Sequence, residues 1–204
     1  MANSSGVHFP LAARLSSCGF PLEKLERDLS SIFVLDPSLR ITYCNPAWDT
    51  FALKNGGAKA TRSHVLGKEC LEVIPEPLRT FYAAAFTQVG ESEKPWEHDY
   101  ECSSPELYRL FHMRVLPLKN GFLLVENSLR IEEMHGCTGR AAAAVESMYR
   151  DKDGIITMCA HCRRTLRNDA SKSHWDWVSS WVAELPSNVS HGLCQSCCIF
   201  YFGF

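Results

Sequence analysis

Cys159-Ala160-His161-Cys162 and Cys194-Gln195-Ser196-Cys197 constrain this chain more than any other feature of its sequence. A two-residue gap lets both sulfurs of a pair turn toward one centre. Two such pairs offer the four thiolates that a tetrahedral zinc takes at about 2.3 Å each. Gly192, just ahead of the second pair, gives the backbone freedom that a knuckle turn uses. A segment this short has too little area for a stable core, and a metal would supply the missing stability. The expected ligands are therefore Cys159, Cys162, Cys194 and Cys197, with His191 and His161 as substitutes if a cysteine is not used. A reversible dithiol switch is the competing reading, and oxidation of the thiolates would eject a bound metal. Covalent haem is disfavoured, because Arg163 and Cys198 stand where a C-x-x-C-H motif needs histidine. Cys198 is read as a bystander or a spare thiol.

The other five of the ten cysteines, Cys18, Cys44, Cys70, Cys102 and Cys137, are scattered singly, which marks the last quarter as a separate module. Nothing in the sequence reads as a signal peptide or a membrane-crossing run, so the chain is expected in the cytoplasm. A reducing cytosol favours metal or redox roles for paired cysteines over structural disulfides. Formal net charge is −2, which gives no global field for nucleic acid or an anionic membrane. Arg163, Arg164, Arg167 and Lys172 make a small basic patch beside the first pair, read as a solvated loop; nucleic acid is not an expected partner.

Ahead of this module the pattern is mixed α and β. Residues 1–20 show no periodicity and are read as a loosely ordered lead-in. Pro21 opens an amphipathic helix over 21–30, with Leu22, Leu25 and Leu29 on one stripe that serves either its own domain or a homodimer contact. Ile32–Leu35 and Ile41–Cys44 flank Asp36-Pro37-Ser38 as a β-hairpin. Asn45-Pro46 caps a helix carrying Trp48 and Phe51 that stops near Asn55-Gly56-Gly57. A helix around Phe81–Val89 follows, then strands Trp96–Cys102, Leu107–Leu116 and Phe122–Glu126.

That order resembles the PAS family over residues 22–128. The resemblance is carried by Ile32–Asp36, by Ile41-Thr42-Tyr43-Cys44-Asn45-Pro46-Ala47-Trp48, by Val65-Leu66-Gly67-Lys68 and by Tyr108–Leu118. It implies an α+β fold, a five-stranded antiparallel sheet with helices on one face, acting as a sensor or dimerisation module. The end of the last strand departs from effector-coupled members, which often carry Asp-Ile-Thr where this chain reads Glu126-Asn127-Ser128-Leu129. Relatives hold flavin, haem, metabolites or nothing. The flavin-adduct motif Gly-x-Asn-Cys-Arg-Phe-Leu-Gln is met here only by Gly67 and Cys70, with Glu69, Leu71 and Ile74 in place of Asn, Arg and Gln, so FMN is disfavoured. Haem is disfavoured because Leu78–Phe86 offers no axial histidine. The pocket ligand is unassigned. His98 shares a sheet face with Trp96 and Tyr100 and is read as a packing histidine, while His112 meets solvent or a partner.

The stretch 154–198 is similar to the Cys-rich ends of certain bacterial PAS and response-regulator proteins, through Met158–Arg164, Trp175–Val178 and Ser190–Cys194. The expected organisation is a lead-in at 1–20, a PAS-like domain with its N-terminal helix at 21–128, a helical connector at 129–153 and a zinc module at 154–204. The connector is expected to be helical over Arg140–Arg150, and His174–Leu185 to be a helix with Trp175, Val178, Val182 and Leu185 on one face. With no nucleotide loop or nucleophile–base grouping in view, a non-enzymatic signalling protein is the first expectation. A thiol-based redox or metal sensor is the second, and a zinc-dependent DNA binder the third.

Overall fold

The computed structural model describes residues 9–134, 142–168 and 174–203. Its elements are α1 (Phe9–Ser17), α2 (Leu22–Leu25), β1 (Ser31–Leu35), β2 (Ile41–Cys44), α3 (Pro46–Lys54), α4 (Arg62–Val65), α5 (Leu78–Ser92), β3 (Trp96–Glu101), β4 (Leu107–Pro117) and β5 (Leu123–Met134). They continue as β6 (Ile156–Cys159), β7 (Thr165–Arg167), β8 (His174–Asp176), α6 (Ser179–Ala183), β9 (Val189–Gly192) and α7 (Gln195–Phe202). Two compact units result: residues 1–73, 82–99 and 112–129 form one, and residues 74–81, 100–111 and 130–204 the other. Among the described residues no helix is long and apolar enough to cross a membrane.

β1 to β5 form one antiparallel sheet in the order β2-β1-β5-β4-β3. The hairpin expected around Asp36-Pro37-Ser38 is present: Asp36 Oδ1 accepts from the backbone of Ser38 and Arg40 at 2.9 Å each, and Val34 pairs with Tyr43. In the first unit, strand alternation sorts β1 onto two faces. Ile32 and Val34 join Leu124, Leu116, Tyr43, Leu11, Leu15 and Leu25 in one cluster. Phe33, on the other face, meets the Trp48 ring of α3 edge-on at 5.3 Å. Burial of this many apolar side chains, each worth about 1.5–3 kcal/mol, is what holds the unit together.

Asn45 makes this arrangement specific. Its side chain is fully buried. Oδ1 accepts from Ile32 N at 3.0 Å and, as the N-cap of α3, from Trp48 N at 3.2 Å. Nδ2 donates to the carbonyls of Ser30 at 2.9 Å and Leu25 at 3.1 Å. One amide thus ties α2, β1 and α3, and Pro46 sits in the first turn where its missing N–H costs nothing.

The N-terminal segment corrects two expectations. Residues 9–17, read as lead-in, form α1, because Leu11 and Leu15 bury four residues apart on one face. The helix expected over 21–30 is a single turn, Leu22–Leu25: Asn45 takes the carbonyls beyond it, and Leu29 stands 96% exposed. Leu25 and, in part, Leu22 pack into the chain's own core.

In the second unit β6 to β9 make a four-stranded sheet in the order β8-β7-β6-β9, with β6 and β9 parallel. Tyr149, Ile156, Met158, Val178 and Trp181 form its small core, Tyr149 meeting Trp181 edge-on at 5.0 Å. Here too local propensity gives way to tertiary pairing. The helix expected over His174–Leu185 is strand β8 followed by α6: Trp175 pairs with Leu166 across β7, Trp181 enters the core and Leu185 is exposed. The connector's expected helix is absent from its described part, 142–150. Ala142 N bonds Trp177 O at 2.9 Å, and only a 3₁₀ turn, Glu146–Met148, forms ahead of buried Tyr149. Residues 140 and 141 and Lys172 lie outside the described residues.

Candidate metal centre

Strand β6 ends on Cys159, and the chain turns at once through Ala160-His161 to Cys162. The turn is a knuckle closed by Cys159 N to Arg164 O at 2.8 Å and Arg163 N to Cys159 O at 3.1 Å. It places Arg163 in the left-handed region, φ 60°. Beside it, β9 ends on Gly192, whose carbonyl accepts from Ala160 N at 2.8 Å. Cys194 then forms the N-cap of α7 and Cys197 lies in its first turn. Parallel pairing of Cys159 with Gly192 therefore delivers both sulfur pairs to one end of the sheet.

The four sulfurs of Cys159, Cys162, Cys194 and Cys197 all lie within 4.8 Å of one another, and all four residues are buried. Cys162 Sγ and Cys194 Sγ are 3.7 Å apart. Four sulfurs set tetrahedrally at ~2.3 Å from a common centre have edges of ~3.8 Å, so this separation is compatible with a shared metal. Cys194 N donates to Cys159 Sγ at 3.4 Å, and Trp175 and Leu193 pack against the cluster and keep it dry. Hydrogen bonds from Cys162, Cys194 and Cys197 hold the Cys159 thiol far below its usual range, and the same exchange drives Cys162 and Cys197 far above theirs. Four sulfurs this close cannot all ionise unaided, whereas a divalent cation would keep all four as thiolates.

Arg164, read from sequence as part of a solvated patch, is exposed, and its charge also reaches this site. Partial desolvation opposes that charge, yet a hydrogen bond to Cys162 and the charges of Cys162, Glu101 and Cys194 outweigh it and raise Arg164 above the ordinary arginine range. Arg167 leaves the patch, pairing with Asp176 at 2.7 Å. The substitute ligands are not in the cluster. His161 turns its ring to α7, Nδ1 lying 2.7 Å from the Tyr201 hydroxyl, and His191 sits on β9 opposite Met158. Tyr201 and Arg164 carried no signal of their own in the sequence; only their distance from the cysteines in three dimensions marks them.

In the first unit, Trp96 and His98 stack at 5.3 Å and Tyr82 meets them at 6.3 and 6.4 Å, so His98 packs among aromatic rings, as its strand position implies. Burial lowers its pKa. Burial also pushes the Cys70 thiol up to about 12, far from a reactive thiolate. His112 lies between two carboxylates, 2.7 Å from Asp99 and 3.6 Å from Glu97.

A family model described as the PAS fold matches residues 25–125. Among solved structures, the PAS domain of Bordetella pertussis BvgS is 21% identical, with TM-score 0.44, covering 58% of this chain and 89% of that one. The Cronobacter turicensis RpfR quorum-sensing receptor PAS domain, solved in complex with C12:0, is 18% identical, with TM-score 0.41, over 52% of this chain and 97% of that one. A domain of an HTR-like protein from Haloarcula marismortui is 14% identical, with TM-score 0.39, over 51% and 100%. No curated protein matches the chain. With the five-stranded antiparallel sheet, the Asn45-capped α3 and the matched family model together, residues 25–125 are a PAS domain.

Proposed function

We propose that this chain is a non-enzymatic signal-transduction protein whose PAS domain senses a small ligand or a partner and whose C-terminal module is built on a structural zinc. The PAS domain supports the sensor role. The observation that carries the zinc reading is the convergence of four buried sulfurs within 4.8 Å from two distant C-x-x-C pairs. Zinc would act there as a cross-link, binding only deprotonated thiolates and stabilising a segment whose own apolar core is small. Every cysteine among the described residues is a free thiol, which fits a reducing compartment such as the cytoplasm. Homodimerisation through the N-terminal helical region would have to use residues other than Leu25, which is buried.

Native mass spectrometry with elemental analysis of the intact chain tests this reading: one zinc per chain is expected, and a purified, folded protein without metal would overturn it. A second reading is a thiol redox sensor, favoured by the 3.7 Å approach of Cys162 and Cys194. Peroxide would take two electrons from that pair, forming one disulfide and two waters and releasing the metal. Retention of zinc under mild peroxide would count against it.

A further inference from the structure

His161 lies inside the first C-x-x-C pair, yet its ring is spent on α7 rather than on the sulfurs. Besides the 2.7 Å hydrogen bond to Tyr201, it meets the Tyr201 ring at 5.0 Å and 77° and stacks on Phe200 at 5.8 Å and 28°. Tyr201 stands on the helix that begins at the second sulfur pair and is itself buried. Its ring in turn meets Phe81 edge-on at 4.9 Å, and Phe202 meets Phe81 at 6.0 Å. Phe81 is in the first turn of α5, its N–H donating to Pro77 O at 3.3 Å.

Resting on the metal reading above, we propose that the column His161–Tyr201–Phe81 links the four-sulfur site to α5, so that metal occupancy sets the order of the helix's first turn. A metal at the sulfurs locks the knuckle of His161 and the start of α7 together, which fixes Tyr201 and Phe202 against Phe81. Without it, the knuckle and α7 lose the cross-link between their sulfurs, and Tyr201 and Phe202 are held less firmly against Phe81. The linkage is reciprocal: whatever displaces Phe81 changes metal affinity by the same factor by which metal changes the order of that turn.

The test uses the full chain loaded with zinc. Amide exchange is followed by mass spectrometry before and after chelation, and zinc affinity is measured by competition with a chromophoric chelator for wild type, Phe81→Leu and Tyr201→Phe. Chelation is expected to speed exchange over residues 78–84 by at least ~5-fold. Phe81→Leu, and Tyr201→Phe through the lost hydroxyl bond, are expected to weaken zinc by roughly 2- to 10-fold at unchanged stoichiometry. Unchanged exchange over 78–84 while β6 and β9 loosen would overturn the link, as would wild-type affinity in Phe81→Leu. The wild-type comparison needs no variant to fold. If elemental analysis of the same sample finds no metal, the zinc reading itself fails and the link with it; a loaded protein whose α5 ignores chelation fails on the link alone.

Discussion

Tyr149 donates its hydroxyl to Asp176 Oδ2 at 2.8 Å, joining the end of the connector to strand β8. The same oxygen accepts from Arg167 Nε at 2.8 Å, and His174 Nε2 lies 2.9 Å from Oδ1. Burial alone would raise the Asp176 carboxyl, but the bonds from Tyr149 and Arg167 outweigh it and hold it below the ordinary carboxylate range. Asp176→Ala removes the acceptor that Tyr149 and Arg167 share, on a side chain only 11% exposed, and is expected to cost about 2 kcal/mol. Denaturant unfolding of the zinc-loaded chain measures it; a loss under about 0.5 kcal/mol would show the network to be ornamental.

The sign of the acid response follows. A carboxyl depressed in the folded state stabilises fully above its unfolded pKa, about 3.9, and loses that contribution as pH falls through its folded value. The stability gap between wild type and Asp176→Asn is therefore expected to be constant from pH 7 to about pH 5 and to narrow below about pH 4. Urea midpoints for both proteins across that range check it, and a gap that widened toward acid would contradict the depressed carboxyl.

Chelation should act first on the strands that carry the sulfurs. Removing zinc is expected to unfold β6, β9 and the knuckles, since Met158, Ile156 and Val178 make too small a core to stand alone. Cys162→Ser, which swaps a thiolate for a poor ligand, is expected to weaken zinc by more than ~100-fold, whereas Cys198→Ser leaves the affinity unchanged. Equal effects of the two substitutions would mean that the ligand set has been misassigned.

Asn45→Ala removes an N-cap worth about 1 kcal/mol and strands the Ile32 amide and the Ser30 carbonyl, while the Leu25 carbonyl keeps its bond from Asp28 N, for a total of about 3 kcal/mol. Asn45→Asp keeps the acceptor but turns a carboxylate on those carbonyls, so it is expected to rescue little. Thermal melts of the two variants, compared with wild type, decide whether donor and acceptor halves of the amide are both needed.

Arg163 holds a backbone angle, φ 60°, that favours glycine. Arg163→Gly is expected to raise stability by about 1 kcal/mol without altering zinc stoichiometry. A destabilised variant would show that the arginine side chain, not its backbone, is what the knuckle needs.

Much of the sensor fold was legible because its signals are local. Asn45-Pro46 announces a helix start, and the β-rich runs Ile32–Leu35 and Ile41–Cys44 around a Pro-containing turn announce strands; each is decided by neighbours within a few residues. The four-cysteine cluster was legible for the same reason, since C-x-x-C spacing is itself local chemistry. What failed were segments whose state depends on a distant partner. Trp175, Val178, Val182 and Leu185 have helical spacing, but Leu166 needed a strand to pair with and Arg167 a carboxylate to bind. Ala142–Ala144 favours helix by propensity, yet its backbone is claimed by Trp177. Leu11 and Leu15 are sparse enough to look like a tail until the sheet beneath them is known.

Because β6 and β9 run side by side in the same direction, the two knuckles are ends of parallel rails. The turn between α6 and β9, where Leu185 is exposed, can lengthen or shorten with little penalty, while one residue added between a rail and its first sulfur would carry that sulfur about 3.3 Å along and turn it to the opposite side. Variation among homologues should therefore gather in 184–187 and spare Ile156–Cys162 and Val189–Cys197.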